Sequence, residues 1–450
     1  MNFPRLRRAL ALLGAAFIAS FSTTTAAPVV TIRPASAGQA AALLVDGEPY
    51  FIKGITYAGP AKGGDLEADI RAIAALGANT IRNWGTDPVD TPKLLDAAHR
   101  HGLKVVLGLW LRHGRPGAEG IDNFNYLTDH AGVEEQYQNT LRQVRAFHQH
   151  PAILAWGPGN EVTLNIATDP EKEAYAKFLE RVVRGIKEID TSRPVASMSA
   201  WSTDWPWWQK HTPSLDIYAI NTYGYGAVAV AGEAKRLGVT QPWMITEFGA
   251  SGEWEAREDA NGVRVEPDDA HKASIIHPGF RDLIESKRDE GCLGGFVFHF
   301  GNGFDHTGLW LSLRVDNHTR PQYWATRQAF TGHPADNAVP VVNFFSVRKS
   351  PEGHTAGQWV EIAVAFTDAE NENCEVSFAG NLRSLPWPEK DEVHRFESKN
   401  GLASNRYLVK MPQTPGAWKL YALVTDPARN LGAATTSIVL KPAALSSPTP

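Results

Sequence analysis

Two carboxylates stand out by their neighbours. Glu161 lies in Trp156-Gly157-Pro158-Gly159-Asn160-Glu161-Val162, and Glu247 in Trp243-Met244-Ile245-Thr246-Glu247-Phe248-Gly249. Each closes a short apolar run beside a glycine turn, and the first follows an amide. A lone glutamate is most often a solvated surface residue. Two in the same setting suit work on a glycosidic bond: one acid protonates the leaving oxygen while the other carboxylate attacks the anomeric carbon or activates water. Other chemistries find no support. The chain has no H-E-x-x-H, C-x-x-C or G-x-S-x-G, and its 15 His show no metal-ligand spacing, so no metal or other cofactor is expected.

The elements that must position these groups are legible as a repeat of short apolar runs and longer amphipathic stretches between Tyr50 and Phe330. The runs are Phe51 to Thr56, Thr80 to Arg82, Lys104 to Trp110, Ile153 to Trp156, Pro194 to Ser197, Ile217 to Asn221, Trp243 to Glu247 and Gly295 to Phe300. Between them, Tyr137, Leu141 and Val144 share one helical face, as do Tyr175, Phe178, Leu179, Val182, Val183 and Ile186. Gly102 is a C-cap candidate, and Pro278-Gly279 predicts that the last helix before the eighth run starts near Gly279. Eight such units predict an α/β fold, a (β/α)8 TIM barrel, in which chemistry sits after the strand C-termini. An open doubly wound sheet would offer a glycine-rich phosphate turn, and neither G-x-G-x-x-G nor G-x-x-x-x-G-K-[ST] occurs. Glu161 and Glu247 end the fourth and seventh runs, so a barrel brings them together across its mouth.

Beyond Thr331 to Pro340 the period changes to two. Val360, Ile362, Val364 and Phe366 alternate with smaller or polar residues, and so do Trp418, Leu420, Ala422 and Val424. Asp426 to Gly432 is a turn, and six or seven strands here predict a C-terminal immunoglobulin-like β-sandwich. The expected division is 1–27 signal peptide, 40–332 barrel, 339–442 sandwich and 443–450 tail. Met1 to Ala27 carry Arg5, Arg7 and Arg8, an apolar run and a small-residue stretch, the pattern of a cleaved secretory signal, which predicts a secreted or periplasmic protein. No other stretch approaches the 18 apolar residues of a membrane span. Of 450 residues, 43% are hydrophobic and 21% charged, with a formal net charge of -5, which disfavours disorder and offers no basic field for nucleic acid. Cys292 and Cys374 are too few for a disulfide framework, and two separate thiols are expected over an interdomain bridge.

Ile52 to Tyr57, Gly77 to Arg82, Gly159-Asn160-Glu161-Val162, Asn221-Thr222-Tyr223 and Thr246-Glu247-Phe248-Gly249 appear in the order of the strand-end motifs of a known clan. Over about residues 45 to 330 the chain resembles the retaining (β/α)8 glycoside hydrolases, including families 2 and 5 and especially the family 72 β-1,3-glucanosyltransferases. The resemblance implies that Glu161 is the acid/base and Glu247 the nucleophile. It implies that Asn160 holds the sugar 2-hydroxyl and that Arg82 and Tyr223 hydrogen-bond the nucleophile and keep it ionised. A guanidinium favours a charged carboxylate, whereas an apolar setting such as Trp156 could provide keeps an acid protonated. The eighth run ends Phe298-His299-Phe300, where many clan members have a Trp, and His299 is either a partner for sugar hydroxyls or a satisfied core histidine.

The aromatics are numerous, with 14 Trp, 11 Tyr and 19 Phe. Trp84, Trp110, Trp201 and Trp310 follow run ends and are expected to bind sugar, whose C–H face packs on indole. Trp205, Trp207 and Trp208 crowd the same face, while core packing is expected for about half of the set, Trp156 and Trp243 included. The acidic loop Glu253 to Asp269 reads as a solvated surface loop rather than a wall of the site. The expected activity is retaining hydrolysis of a β-linked poly- or oligosaccharide, with β-glucan implied by the resemblance. A glucanosyltransferase would use the same residues. A noncatalytic carbohydrate-binding envelope protein is the alternative of another class, but it has no need of both glutamates. Carbohydrate is the one partner expected, and the sequence sets no oligomeric state.

Overall fold

The computed structural model describes residues 27–61, 63–116, 122–301, 309–383 and 393–443. The expected signal peptide (apart from Ala27) and tail (apart from Ala443) lie outside the described residues. A small antiparallel sheet comes first, of β1 (Val30–Arg33), β2 (Ala42–Val45) and β3 (Glu48–Pro49). Eight parallel strands follow: β4 (Ile52–Thr56), β5 (Thr80–Arg82), β6 (Lys104–Leu109), β7 (Ile153–Pro158), β8 (Ala196–Ala200), β9 (Ile217–Asn221), β10 (Trp243–Phe248) and β11 (Cys292–Val297). Their spatial order is β7-β6-β5-β4-β11-β10-β9-β8, and the bridges Trp156↔Val195 and Asn160↔Met198 close β7 back onto the β8 edge. This is the expected TIM barrel.

The strands are nearly continuous apolar runs because both of their faces are buried. One face fills the barrel interior with Ile52, Val106, Leu154, Met198, Met244 and Phe296, among others. Val30 and Leu43 of the small sheet belong to the same cluster, so β1 and β2 plug the N-terminal end. Near that end lies a cavity of about 830 Å³, lined by Arg33, Tyr50, Phe51, Arg288 and Cys292, far along the chain from either glutamate motif. The other face packs against the helices: α1 (Leu66–Ala75), α2 (Asp90–Arg100), α3 (His130–Phe147), α4 (Asp169–Ile189), α5 (Trp205–His211), α6 (Val230–Leu237), α7 (Asp269–Gly279) and α8 (Pro321–Thr331). In α4 the expected stripe from Tyr175 to Ile186 is buried, and a Thr168–Glu171 capping box satisfies the first turn. Gly102 follows α2 with φ 72°, as a C-cap requires.

Several strand ends shift by up to three residues from expectation, β8 (Ala196–Ala200, expected Pro194 to Ser197) among them, and two boundary differences have a local cause. The last barrel strand begins at Cys292, three residues before Gly295, because Gly294 is not a breaker here. A Cβ on it would lie 2.2 Å from the Ile52 carbonyl oxygen, so only glycine lets β11 approach β4. The helix before that strand starts at Asp269, capped by Asp268, and runs through Pro278 rather than beginning beyond it. A π-helical turn from Phe280 to Ile284 follows the proline.

After the barrel strands comes a short hairpin of β12 (Arg314–Val315) and β13 (His318–Thr319), and the C-terminal strands beyond α8 form two sheets. β14 (Val341–Val347), β16 (Trp359–Thr367), β20 (Arg406–Lys410) and β19 (Ser398–Asn400) make one. The other contains β15 (His354–Thr355), β22 (Leu431–Lys441), β21 (Gly416–Thr425), β17 (Glu375–Leu382) and β18 (His394–Phe396). Val360, Ile362 and Val364 of the first share one core with Trp418, Leu420, Ala422 and Val424 of the second, as the alternation predicts. The alternate residues of β21 are not solvated. Lys419, Tyr421 and Leu423 are also buried, and Tyr421 and Leu423 cluster with Leu309 and Val315 from the barrel side. Cys292 and Cys374 are free thiols.

Candidate active site

The turn after β7 is built to aim a side chain. Gly159 has φ 78°, and a Cβ there would meet the Tyr175 hydroxyl at 2.5 Å. Glu161 itself has φ 50°, uncommon for a residue with a Cβ and a conformation that persists only when its surroundings hold it. They do so here through Glu161 N–H, which donates to the Met198 carbonyl at 2.9 Å. Behind the turn, the Thr163 hydroxyl bonds to the carboxyl of Asp204, which is fully enclosed after β8. Burial pushes the Asp204 carboxyl up to about 7.

Glu247, at the end of β10, is almost wholly buried and surrounded by donors. Arg82 Nη1 donates to Oε1 at 2.8 Å, Trp84 Nε1 to the same oxygen at 3.2 Å, and the Tyr223 hydroxyl to Oε2 at 2.5 Å. Arg82 comes from β5 and also donates through Nη2 to Asn160 Oδ1 at 2.5 Å. Asn221, the last residue of β9, donates to Asn160 Oδ1 at 3.1 Å and to Glu161 Oε1 at 2.7 Å, while its own oxygen accepts from Thr246 Oγ1 at 2.8 Å. Two glutamates remote in sequence are thus joined through Arg82, Asn160 and Asn221. Phe298 lies under this group, with ring centroids 5.9 Å from Trp84 and 5.6 Å from Tyr223.

Of the residues expected from sequence, Glu161, Glu247, Arg82, Asn160, Tyr223 and Trp84 meet in one constellation. Trp110 is half-buried nearby on the β6 loop, stacked on His113 at 5.1 Å, with its Nε1 on Asp122 at 3.1 Å. His113 in turn bonds through Nδ1 to Asn165 Nδ2 at 3.1 Å, in the turn that follows Glu161, and its burial lowers its pKa to about 4. Trp201 is half-buried after β8 and reaches toward Gly226 in the turn after β9. His299 is buried, with Nδ1 3.2 Å from the Phe300 carbonyl. Trp310 is not on the cleft surface: it is fully enclosed, donates to the Ser251 carbonyl at 2.9 Å and has Lys419 4.2 Å from its ring.

Trp205 and Trp208 pack against Tyr218 in the helix layer and are likewise fully buried. Trp156 faces outward from the barrel too, donating to Asp190 at the end of α4. It therefore gives Glu161 no apolar wall. The loop from Glu253 to Asp269 is not solvated along its length. Glu253, Glu266 and Asp269 are buried, and the first two pair with Lys419 of β21 at 3.2 and 3.5 Å. Three useful residues escaped the sequence reading. Asn221 closes a β strand whose motif was visible, but nothing local marks its amide as the bridge. Asp204, after β8, and Trp254, after β10, carry no signal beyond their places in loops that follow barrel strands.

Residues 59–254 match the family model described as glycosyl hydrolases family 2, TIM barrel domain. The match supports a glycoside hydrolase. Its span contains Arg82, Asn160, Glu161, Asn221, Tyr223 and Glu247, and family 2 is among those the motifs resemble. A search of curated proteins finds no match. Among solved structures, a β-glucuronidase from Bacteroides uniformis is similar at 16% identity and TM-score 0.51, over 92% of this chain and 48% of that one. A β-galacturonidase from Eisenbergiella tayi bound to galacturonate is similar at 18% identity and TM-score 0.50, over 68% of this chain and 55% of that one. The chain thus spans about half the length of these glycosidases, and at such identities the likeness is one of fold.

Proposed function

We propose that the chain is a retaining β-glycoside hydrolase working by double displacement, with Glu247 as nucleophile and Glu161 as acid/base. The observation that carries the reading is the pair of strand-end glutamates linked through Arg82, Asn160 and Asn221. In the first step Glu247 attacks the anomeric carbon and the glycosidic C–O bond breaks. The departing oxygen keeps the bonding electron pair and takes the Glu161 proton. In the second step Glu161, now a carboxylate, accepts a proton from water as the water oxygen displaces Glu247 from the anomeric carbon. Asn160, held by Arg82 and Asn221, is in place to meet the 2-hydroxyl.

Sequence resemblance points to β-glucan, while the similar solved structures are of a β-glucuronidase and a β-galacturonidase. The reading commits to β-linked glycosides, and a panel of aryl β-glycosides and sized β-glucan oligosaccharides identifies the sugar. Transfer to a second sugar would use the same residues and would show as products longer than the substrate. We also read the C-terminal sheets as an immunoglobulin-like sandwich and the chain as exported. The test is a pair of variants. Glu247→Gln should abolish turnover in a folded protein, and Glu161→Ala should spare activated aryl glycosides in the glycosylation step while losing substrates with poor leaving groups. Substantial turnover by a folded Glu247→Gln protein sinks the nucleophile assignment.

A further inference from the structure

The loop after β10 begins at the strand that carries Glu247 and is tied at intervals to the C-terminal sheets. Glu253 pairs with Arg383 at 2.7 Å and with Lys419 at 3.2 Å. The Ser437 hydroxyl donates to Asp259 Oδ2 at 2.5 Å and accepts from Asn261 Nδ2 at 2.8 Å. Glu266 reaches Lys419 at 3.5 Å, and Asp269 Oδ2 accepts from the Ala433 N–H at 3.2 Å. A loop fastened at five places to another sheet is a fixed wall. Directly after its first anchor stands Trp254, a large apolar residue left 54% exposed.

Trp254 is also positioned. Its ring meets Tyr223 edge-on with centroids 5.1 Å apart, and Tyr223 is the residue that donates to Glu247 Oε2. On its other side the indole folds over Gly252, where a Cβ would come within 2.2 Å of Cζ2. An exposed indole held edge-on against the tyrosine that donates to Glu247 fills no core, and an aromatic with one free face beside a site is suited to pack on a ligand. Tyr225, 71% exposed two residues after Tyr223, adds a second aromatic in the neighbouring loop.

We propose that Trp254 is a stacking platform for the sugar on the leaving-group side of the scissile bond, and that Arg383 and Lys419 act through Glu253 as its positioning residues. The C-terminal sheets are then part of the active site. This rests on the proposed double displacement, because a leaving-group subsite is also the one an acceptor sugar enters. There the acceptor hydroxyl attacks the anomeric carbon of the glycosyl–Glu247 ester, its proton passes to the Glu161 carboxylate, and the ester electron pair returns to Glu247.

The experiment uses the full chain. It is first labelled with a panel of 2-deoxy-2-fluoro-β-glycosyl fluorides of gluco, galacto and glucurono configuration. Freed of reagent, it is then reactivated in buffer alone or with laminaribiose, cellobiose or phenyl β-glucoside. The readout is the ratio of acceptor-driven to water-driven reactivation, which a merely structural role would not move. Trp254→Ala should lower the ratio about tenfold, Trp254→Phe should restore most of it, and Arg383→Gln should lower it in a protein that still labels. An unchanged ratio in Trp254→Ala, or no acceptor effect in the wild type, overturns the platform. A loss in Trp254→Ala without one in Arg383→Gln overturns the anchoring role. If the wild type takes no label from any fluoride, it is the double-displacement reading that fails, and the platform falls with it.

Discussion

Arg82 and Glu247 form an ion pair that water does not reach: Nη1 and Oε1 are 2.8 Å apart, with 1% and 8% of the two side chains exposed. The second guanidinium nitrogen is spent on Asn160, so a single planar group holds both Glu247, the proposed nucleophile, and the amide before Glu161, the proposed acid/base. A lysine cannot divide itself in this way, because its ammonium is a point charge on a flexible stem. Arg82→Lys should therefore lower kcat by about a hundredfold or more while the protein folds. Arg82→Met should in addition cost roughly 3 to 5 kcal/mol in denaturant unfolding, since it strands a buried carboxylate. Near-normal kcat for Arg82→Lys would show that the shared guanidinium is not needed.

Asn221 links Asn160 and Glu161 and is itself held by Thr246. Asn221→Ala removes a donor from the acid/base without touching the nucleophile's own three donors. We expect kcat to fall on the order of tenfold to a hundredfold and the basic limb of the kcat profile to move, because the donor contacts one carboxyl only. A pH profile that keeps its shape while only KM changes would assign Asn221 to substrate binding instead.

Asp204 makes a prediction about stability. Its carboxyl is raised from 3.8 to about 7 by burial, so the folded state favours the proton. The associated stabilisation is fully present below the unfolded value and is lost as pH rises through about 7. The shift corresponds to up to about 4 kcal/mol. Asp204→Asn should flatten the fall in unfolding free energy between about pH 4 and pH 7 and be the more stable protein above pH 7. Parallel curves for variant and wild type would contradict the buried-proton account.

His113 works in the opposite direction. Burial lowers its pKa from 6.5 to about 4, so the folded protein holds it neutral, accepting from Asn165 and lying under Trp110. Its contribution is present above pH 6.5 and disappears as pH falls through about 4, on the order of 3 kcal/mol. His113→Asn keeps an acceptor but cannot titrate there, and acid unfolding should then begin at lower pH. An unchanged acid limb would place the acid sensitivity elsewhere.

The barrel was legible because its strands are buried on both faces and its helices carry one-sided stripes. The run Ile217–Asn221 matches its strand to the residue, and both glutamate motifs lie at strand ends. Failures came where local chemistry was overruled by a distant neighbour. Gly294 is required by the Ile52 carbonyl, and Trp310 and Trp205 are buried by layers that a linear pattern does not contain. Lys419 in an alternating strand reads as solvated, yet the barrel covers that face and Glu253 and Glu266 come to it. The same blindness hid the docked loop, whose charges are paired with residues more than a hundred positions away. Site residues brought together by the barrel were visible only as separate motifs, and their hydrogen-bonded bridge through Asn221 required three dimensions.

In the proposed double displacement Glu247 becomes covalently glycosylated. Intact mass and peptide mapping after treatment with the 2-deoxy-2-fluoro-β-glycosyl fluorides read this out. One glycosyl group should be added per chain, on the peptide containing Glu247, and none in Glu247→Gln. An adduct on a different carboxylate, or steady turnover of β-glycosides with inversion at the anomeric carbon and no adduct, would contradict it.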